Sequence, residues 1–89
     1  MAGAMGRWVS SPSYRAAVQV LIAARKAAGL TKRQLAAMIG RPYTVVANIE
    51  RGERQIDVVE FIAVARALGV GEEQLMSQIG QAIGPDLEL

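Results

Sequence analysis

Five cations, Lys32, Arg33, Arg41, Arg51 and Arg54, crowd the middle of an 89-residue chain and bracket a short run, Tyr43-Thr-Val-Val-Ala-Asn-Ile-Glu50. Ammonium and guanidinium groups at this density suit the neutralisation of phosphate oxygens on a polyanion. The segment between them supplies hydroxyl and amide groups, which donate and accept hydrogen bonds without carrying charge. The charge of the whole chain is unevenly spread. Its net charge is only +2, but up to Arg54 nine basic residues oppose Glu50 and Glu53, giving +7, and from Gln55 onward Arg66 opposes six acids, giving −5. A basic half joined to an acidic half is the footprint of a protein that presents one side to a polyanion. Taken alone, the count leaves open a solvated helix surface on which charge has merely clustered.

Other chemistries are poorly supplied. There is no cysteine, which excludes disulfides, thiolate metal sites and thiol nucleophiles. There is no histidine, so the usual general base and the commonest metal ligand are missing. We expect no enzyme, no metal and no cofactor. The longest apolar stretch, Ala16 to Ala24, is interrupted by Gln19 and is too short to span a bilayer. No long apolar segment follows a basic start as in a signal peptide. These features predict a cytoplasmic protein with no membrane partner, nucleoid-associated if the polyanion it meets is DNA.

The hydrophobic fraction of 52% rests on Ala, Val, Ile and Leu, which suits compact helices, and the length suits one domain with a small core. Residues 1–10 are expected to be a disordered N-terminal segment whose first six residues look partly like a vector-derived leader. The domain is expected over 11–84, followed by a tail over 85–89. The first helix opens at Ser11-Pro12 and ends before Gly29, with an apolar stripe of Tyr14, Ala17, Val18, Leu21 and Ile22 that closes, oddly, on Arg25. Thr31 and Gln34 form a capping box for the second helix, which turns Leu35, Ala36 and Ile39 inward and stops at Gly40. The third runs from Pro42 to Glu50 with Val46 and Ile49 inward. Asp57 and Glu60 make a second capping box, for a fourth helix whose buried face is Val58, Phe61, Ile62, Ala65 and Leu68. A fifth spans about Glu72 to Ile83 and stops at Gly84-Pro85. The fold class is therefore all-α, with five helices. The second and third helices follow one another too closely to pack side by side, so they must cross steeply as a helix-turn-helix at about 31–51. Helix 42–50 then stands out from the domain with small and polar residues exposed, in the position of an element that enters the major groove of DNA.

From about Leu21 to Val70 the chain resembles the Cro/phage-repressor (Xre-type) helix-turn-helix family. The matching residues are Arg25-x-x-x-Gly29-Leu30-Thr31-x-x-x-Leu35-Ala36-x-x-Ile39-Gly40, then Val46-x-x-Ile49-Glu50-x-Gly52, then Ala65-x-x-Leu68-Gly69-Val70. Gly40-Arg-Pro and the run from Glu50 to Glu60 look like a subgroup of bacterial regulators and prophage repressors. The resemblance implies a five-helix DNA-binding domain, usually dimeric on DNA. It also implies a structural ion pair between Arg25 and Glu50 that ties the first helix to the end of the third. Many relatives carry glutamine at the positions of Lys32 and Tyr43, where paired amides can grip adenine. Lysine is a point charge and not a planar reader. The base-contacting set expected here is Tyr43, Thr44, Ala47 and Asn48, with Asn48 placed for adenine and Ala47 for a thymine methyl; Tyr43 could instead simply cover the exposed face. Lys32, Arg33, Arg41, Arg51 and Arg54 are expected on phosphates at either side of the groove.

In the fifth helix Leu75, Ile79 and Ile83 recur every four residues beside Met76. Such a stripe serves a core or an interface. Because four helices already surround one centre and symmetric operators demand symmetric proteins, we expect these four residues to form the contact of a twofold homodimer. The expected function is sequence-specific binding of double-stranded DNA, at a palindromic operator, by a dimeric transcriptional repressor. The alternative is an antitoxin-like module that keeps the fold but binds chiefly a protein partner.

Overall fold

The computed structural model describes residues 11–89, so the expectations for residues 1–10 lie outside the described residues. Five helices follow in order: α1 Pro12–Ala27, α2 Lys32–Ile39, α3 Tyr43–Glu50, α4 Val58–Leu68 and α5 Glu72–Ile83. Among the described residues there is no strand. The chain is all-α.

Local chemistry sets most of the helix ends. Ser11 Oγ accepts from the Tyr14 N–H at 3.1 Å, with Pro12 at the first helical position. Thr31 Oγ1 accepts from the Gln34 N–H at 3.1 Å, and Gln34 Oε1 accepts from the Thr31 N–H at 2.8 Å. The Asp57 and Glu60 pair repeats this box at the start of α4. These bonds satisfy N–H groups that have no partner inside the helix. The turn between α2 and α3 requires Gly40 in the left-handed region, φ 68°, where a side chain would strain the backbone although no neighbour crowds the site. Pro42, expected as the first helical residue, is instead the extended N-cap of α3 at φ −60° and ψ 150°. The proline ring sets φ alone, and that φ is shared by helical and extended backbone, so ψ decides the boundary.

α1 packs against α5 and α3, α2 against α3 and α4, and α4 against α5. The core has two centres. Leu21, Phe61, Ala65, Leu75 and Ile79 form one between α1, α4 and α5. Leu35, Ala36, Val46 and Val64 form the other beneath the helix-turn-helix, and half-buried Ile56 packs against both.

Two sequence expectations are corrected here. Val58 is 77% exposed, and Val64 and Glu60 take the inward places of α4. As the first residue of the helix, Val58 precedes the turn that packs on the neighbours. The second correction concerns α5. Leu75 is fully buried at 0% exposure and Ile79 lies in the same cluster, with Ile83 half-buried against it. Only Met76 of the proposed dimer set stays exposed, at 52%. α1 and α4 alone would leave Leu21 and Phe61 open on one side, and α5 closes it. Beyond α5 the Glu88 N–H donates to Ser13 Oγ at 2.7 Å, which brings the tail back to the start of α1. Among the described residues, no helix is long and apolar enough to cross a membrane.

Candidate nucleic-acid interface

α3 is divided lengthwise. Val46, Ala47 and Ile49 face the core, whereas Thr44, Asn48 and Arg51 recur at i, i+4 and i+7 on the outward arc. Val45, half-buried and three residues before Asn48, belongs to the outward arc by the same periodicity. Ala47 is 2% exposed and therefore cannot touch a thymine methyl; this corrects its place in the base-contacting set. Tyr43, half-buried, opens the helix.

Two buried anchors hold this helix. Arg25 Nε donates to Glu50 Oε2 at 2.7 Å and Arg25 Nη2 to Glu50 Oε1 at 3.0 Å, with both side chains only 8% exposed. The third arm of the guanidinium, Nη1, donates to the Leu30 carbonyl at 2.7 Å, so the same group also fixes the entry to α2. A bidentate, in-plane pair of this kind sets orientation as well as distance.

The second anchor is Glu60, a residue that the sequence explains as a cap alone. Its carboxylate is 3% exposed and accepts from Arg41 Nε at 2.9 Å and from Arg54 Nη1 and Nη2 at 2.9 and 3.0 Å, beside the Asp57 N–H at 3.1 Å. Arg41 precedes α3 and Arg54 follows it, so one buried anion sets the position of a cation at each end of the helix. Tyr14 reinforces the second loop: its hydroxyl accepts from the Ile56 N–H at 3.0 Å and donates to the Arg54 carbonyl at 3.5 Å. Burial pushes the Tyr14 hydroxyl above its ordinary pKa, and the Ile56 bond opposes this. Glu60 and Tyr14 were missed because only the folded loops bring their partners to them. Tyr14 has no motif of its own, and the capping box that contains Glu60 accounts for the cap alone.

The Arg54 hydrogen bonds hold the Glu60 pKa well down, from 4.5 to about 2, against the opposing effect of burial. The carboxylate thus favours the folded state wherever it is ionised in both states. That contribution is complete above about pH 4.5 and is lost as the pH falls toward 2. In acid titrations followed by circular dichroism, Glu60→Gln is expected to lower stability at pH 7 and to flatten the decline between pH 4.5 and 2. An acid limb identical to that of the wild type would show that Glu60 does not carry it.

The remaining cations differ in what they meet. Arg51 donates to Asn48 Oδ1 and lies 3.5 Å from a Glu53 carboxylate oxygen, so it orients the Asn48 amide. Arg33 stacks on the Tyr43 ring, 4.2 Å from its centroid. Lys32, at the first position of α2, is half-buried. Among the described residues, no group of three or more His, Cys, Asp or Glu is placed to hold a metal.

Two short helices packed together across the Gly40 turn, the second with a polar outward arc and a cation fixed at each end, define a DNA-binding domain of the helix-turn-helix class. Residues 21–75 match the helix-turn-helix family, and the chain belongs to that family, in its XRE-type branch of DNA-binding regulators. Among solved structures, an XRE-family like protein from Pseudomonas syringae pv. tomato str. DC3000 is similar, with a TM-score of 0.73 and 40% sequence identity over 82% of this chain and 88% of that one. No curated protein matches.

Proposed function

We propose that this protein is a dimeric transcriptional repressor that inserts α3 into the major groove of a palindromic operator. The observation that carries this reading is the construction of α3: an outward arc of Thr44, Val45, Asn48 and Arg51, with Arg41 and Arg54 held at its two ends by Glu60. In this reading Thr44 and Asn48 offer hydrogen bonds to base edges, and Arg41, Arg54 and Lys32 take phosphates on the two strands. Arg51 acts through Asn48. Because the Asn48 carbonyl oxygen already accepts from Arg51, its second lone pair and its NH₂ remain for an adenine edge. With Leu75 and Ile79 in the core, the dimer face moves to exposed Met76 and Val58, which line one shallow apolar cavity with Phe61.

Binding-site selection from random duplexes tests the reading. The selected sequences are expected to contain two inverted half-sites. Asn48→Ala should weaken the selected site by about 1–3 kcal/mol and flatten preference at one position of each half. Lys32→Ala should weaken all duplexes alike and reduce the salt slope by about two units per dimer. Lys32 is a cleaner comparison than Arg54, whose removal also strips Glu60 of its principal partner. If Asn48→Ala weakens selected and random DNA equally, α3 does not read sequence. The antitoxin-like alternative then becomes the better account, with the exposed groove of Met38, Val59, Ile62 and Ala67 as its protein-binding face.

A further inference from the structure

We propose that Arg33 and Tyr43 form one composite reader, in which the tyrosine ring holds the guanidinium flat so that it grips a guanine in the major groove. The inference rests on the reading of α3 as the groove helix and adds to it a specificity-determining residue from α2 and the base it selects. Arg33 is the second residue of α2 and Tyr43 the first of α3, so the stack bridges the turn that passes through Gly40. The resemblance places a cooperating pair at 32 and 43, whereas the observed partner of Tyr43 is Arg33, at 4.2 Å.

Two observations separate this arginine from five others. Arg25, Arg41, Arg51, Arg54 and Arg66 each donate to a side-chain acceptor within the chain. Among the described residues, the Arg33 guanidinium meets a ring face and no carboxylate or carbonyl, so its in-plane N–H edge is left for a ligand. Its position also differs. Arg41, Arg51 and Arg54 flank or follow α3, but Arg33 is held over the residue that begins it, and the first residues of a recognition helix are those that meet base edges.

The chemistry of that edge selects the base. A planar guanidinium presents parallel donors, which match two acceptors lying in one plane. Guanine offers N7 and O6 side by side in the major groove. Adenine replaces the second acceptor with an NH₂ donor, cytosine presents a donor, and thymine has a single acceptor beside a methyl group. Stacking on Tyr43 removes the freedom that a long side chain would otherwise lose on binding, so the donors arrive already oriented.

Random-duplex selection with the 89-residue chain, Arg33→Lys and Tyr43→Leu tests the assignment, after melting curves establish that both variants fold. The wild type is expected to select one guanine per half-site in a position that depends on Arg33. Arg33→Lys keeps the charge but not the plane; it should lose roughly ten- to hundredfold of preference at that position, with the other positions unchanged. Tyr43→Leu should reduce the same preference, because the guanidinium loses its platform. Retention of the full wild-type sequence by Arg33→Lys would overturn the proposal, since a point charge on phosphate would then suffice. So would a selected site with no Arg33-dependent guanine, even one in which Asn48 still reads its own position. Failure of the wild type to select any sequence would overturn the groove-helix reading itself, and this proposal with it.

Discussion

Glu50→Ala is expected to cost about 3–5 kcal/mol of stability, because it leaves a buried guanidinium with its charge uncompensated. Arg25 is nearly inaccessible, and without Glu50 the Leu30 carbonyl is the acceptor left to it. In a domain of this size each kcal/mol shifts the thermal midpoint by about 4–8 °C, so the change should be plain in a melting curve. The double variant Arg25→Met with Glu50→Leu should regain much of the loss, since an apolar pair of similar volume carries no desolvation penalty. A Glu50→Ala melting curve that overlays the wild type would falsify the buried lock. The lock also has a functional side. It joins the end of α3 to α1 and to the entry of α2, so its loss should loosen α3 as well as the fold.

Leu75→Ala should have an effect of similar size, about 2–5 kcal/mol, through the cavity it leaves between α1, α4 and α5. The dependence on protein concentration carries the information. A residue in a monomer core lowers the midpoint by the same amount at every concentration, whereas an interface residue makes it rise with concentration. We expect no concentration dependence of the shift, and unchanged sedimentation of the folded variant. A shift that vanishes on dilution and grows with protein concentration would return α5 to the dimer interface.

The helix boundaries could be read from the sequence because their causes are local. Thr31 with Gln34 and Asp57 with Glu60 satisfy backbone donors within one turn, and Gly40 and Gly69 end their helices within another. What escaped the sequence depends on distance. Ala47 is small enough to suit either side of a helix, and in an eight-residue segment a slip of one position separates core from surface. Leu75 and Ile79 show a period of four whether they meet α1 or a second subunit. The two-centred core, which needs α5 to close one half, decides between them. Glu60 had already been accounted for by its cap, so nothing in the sequence asked for a second role. That role exists because the loops on both sides of α3 carry Arg41 and Arg54 to the same carboxylate. The pairing of Arg33 with Tyr43, rather than Lys32 with Tyr43, likewise depends on how the turn sets one helix over the next.

The lengthwise division of α3 bears on how such a protein could acquire a new target. Val46, Ala47 and Ile49 are committed to the interior and Glu50 to Arg25, so half of the helix is fixed by folding. Thr44 is exposed and half-buried Val45 and Asn48 lie outside both core clusters, and substitutions at exposed positions away from buried networks usually change stability by under about 0.5 kcal/mol. The two alphabets are written on the same eight residues but are nearly independent. A lineage could therefore change what this face meets by recoding these letters and the Arg33–Tyr43 pair beside them, while the scaffold that presents them went on folding as before.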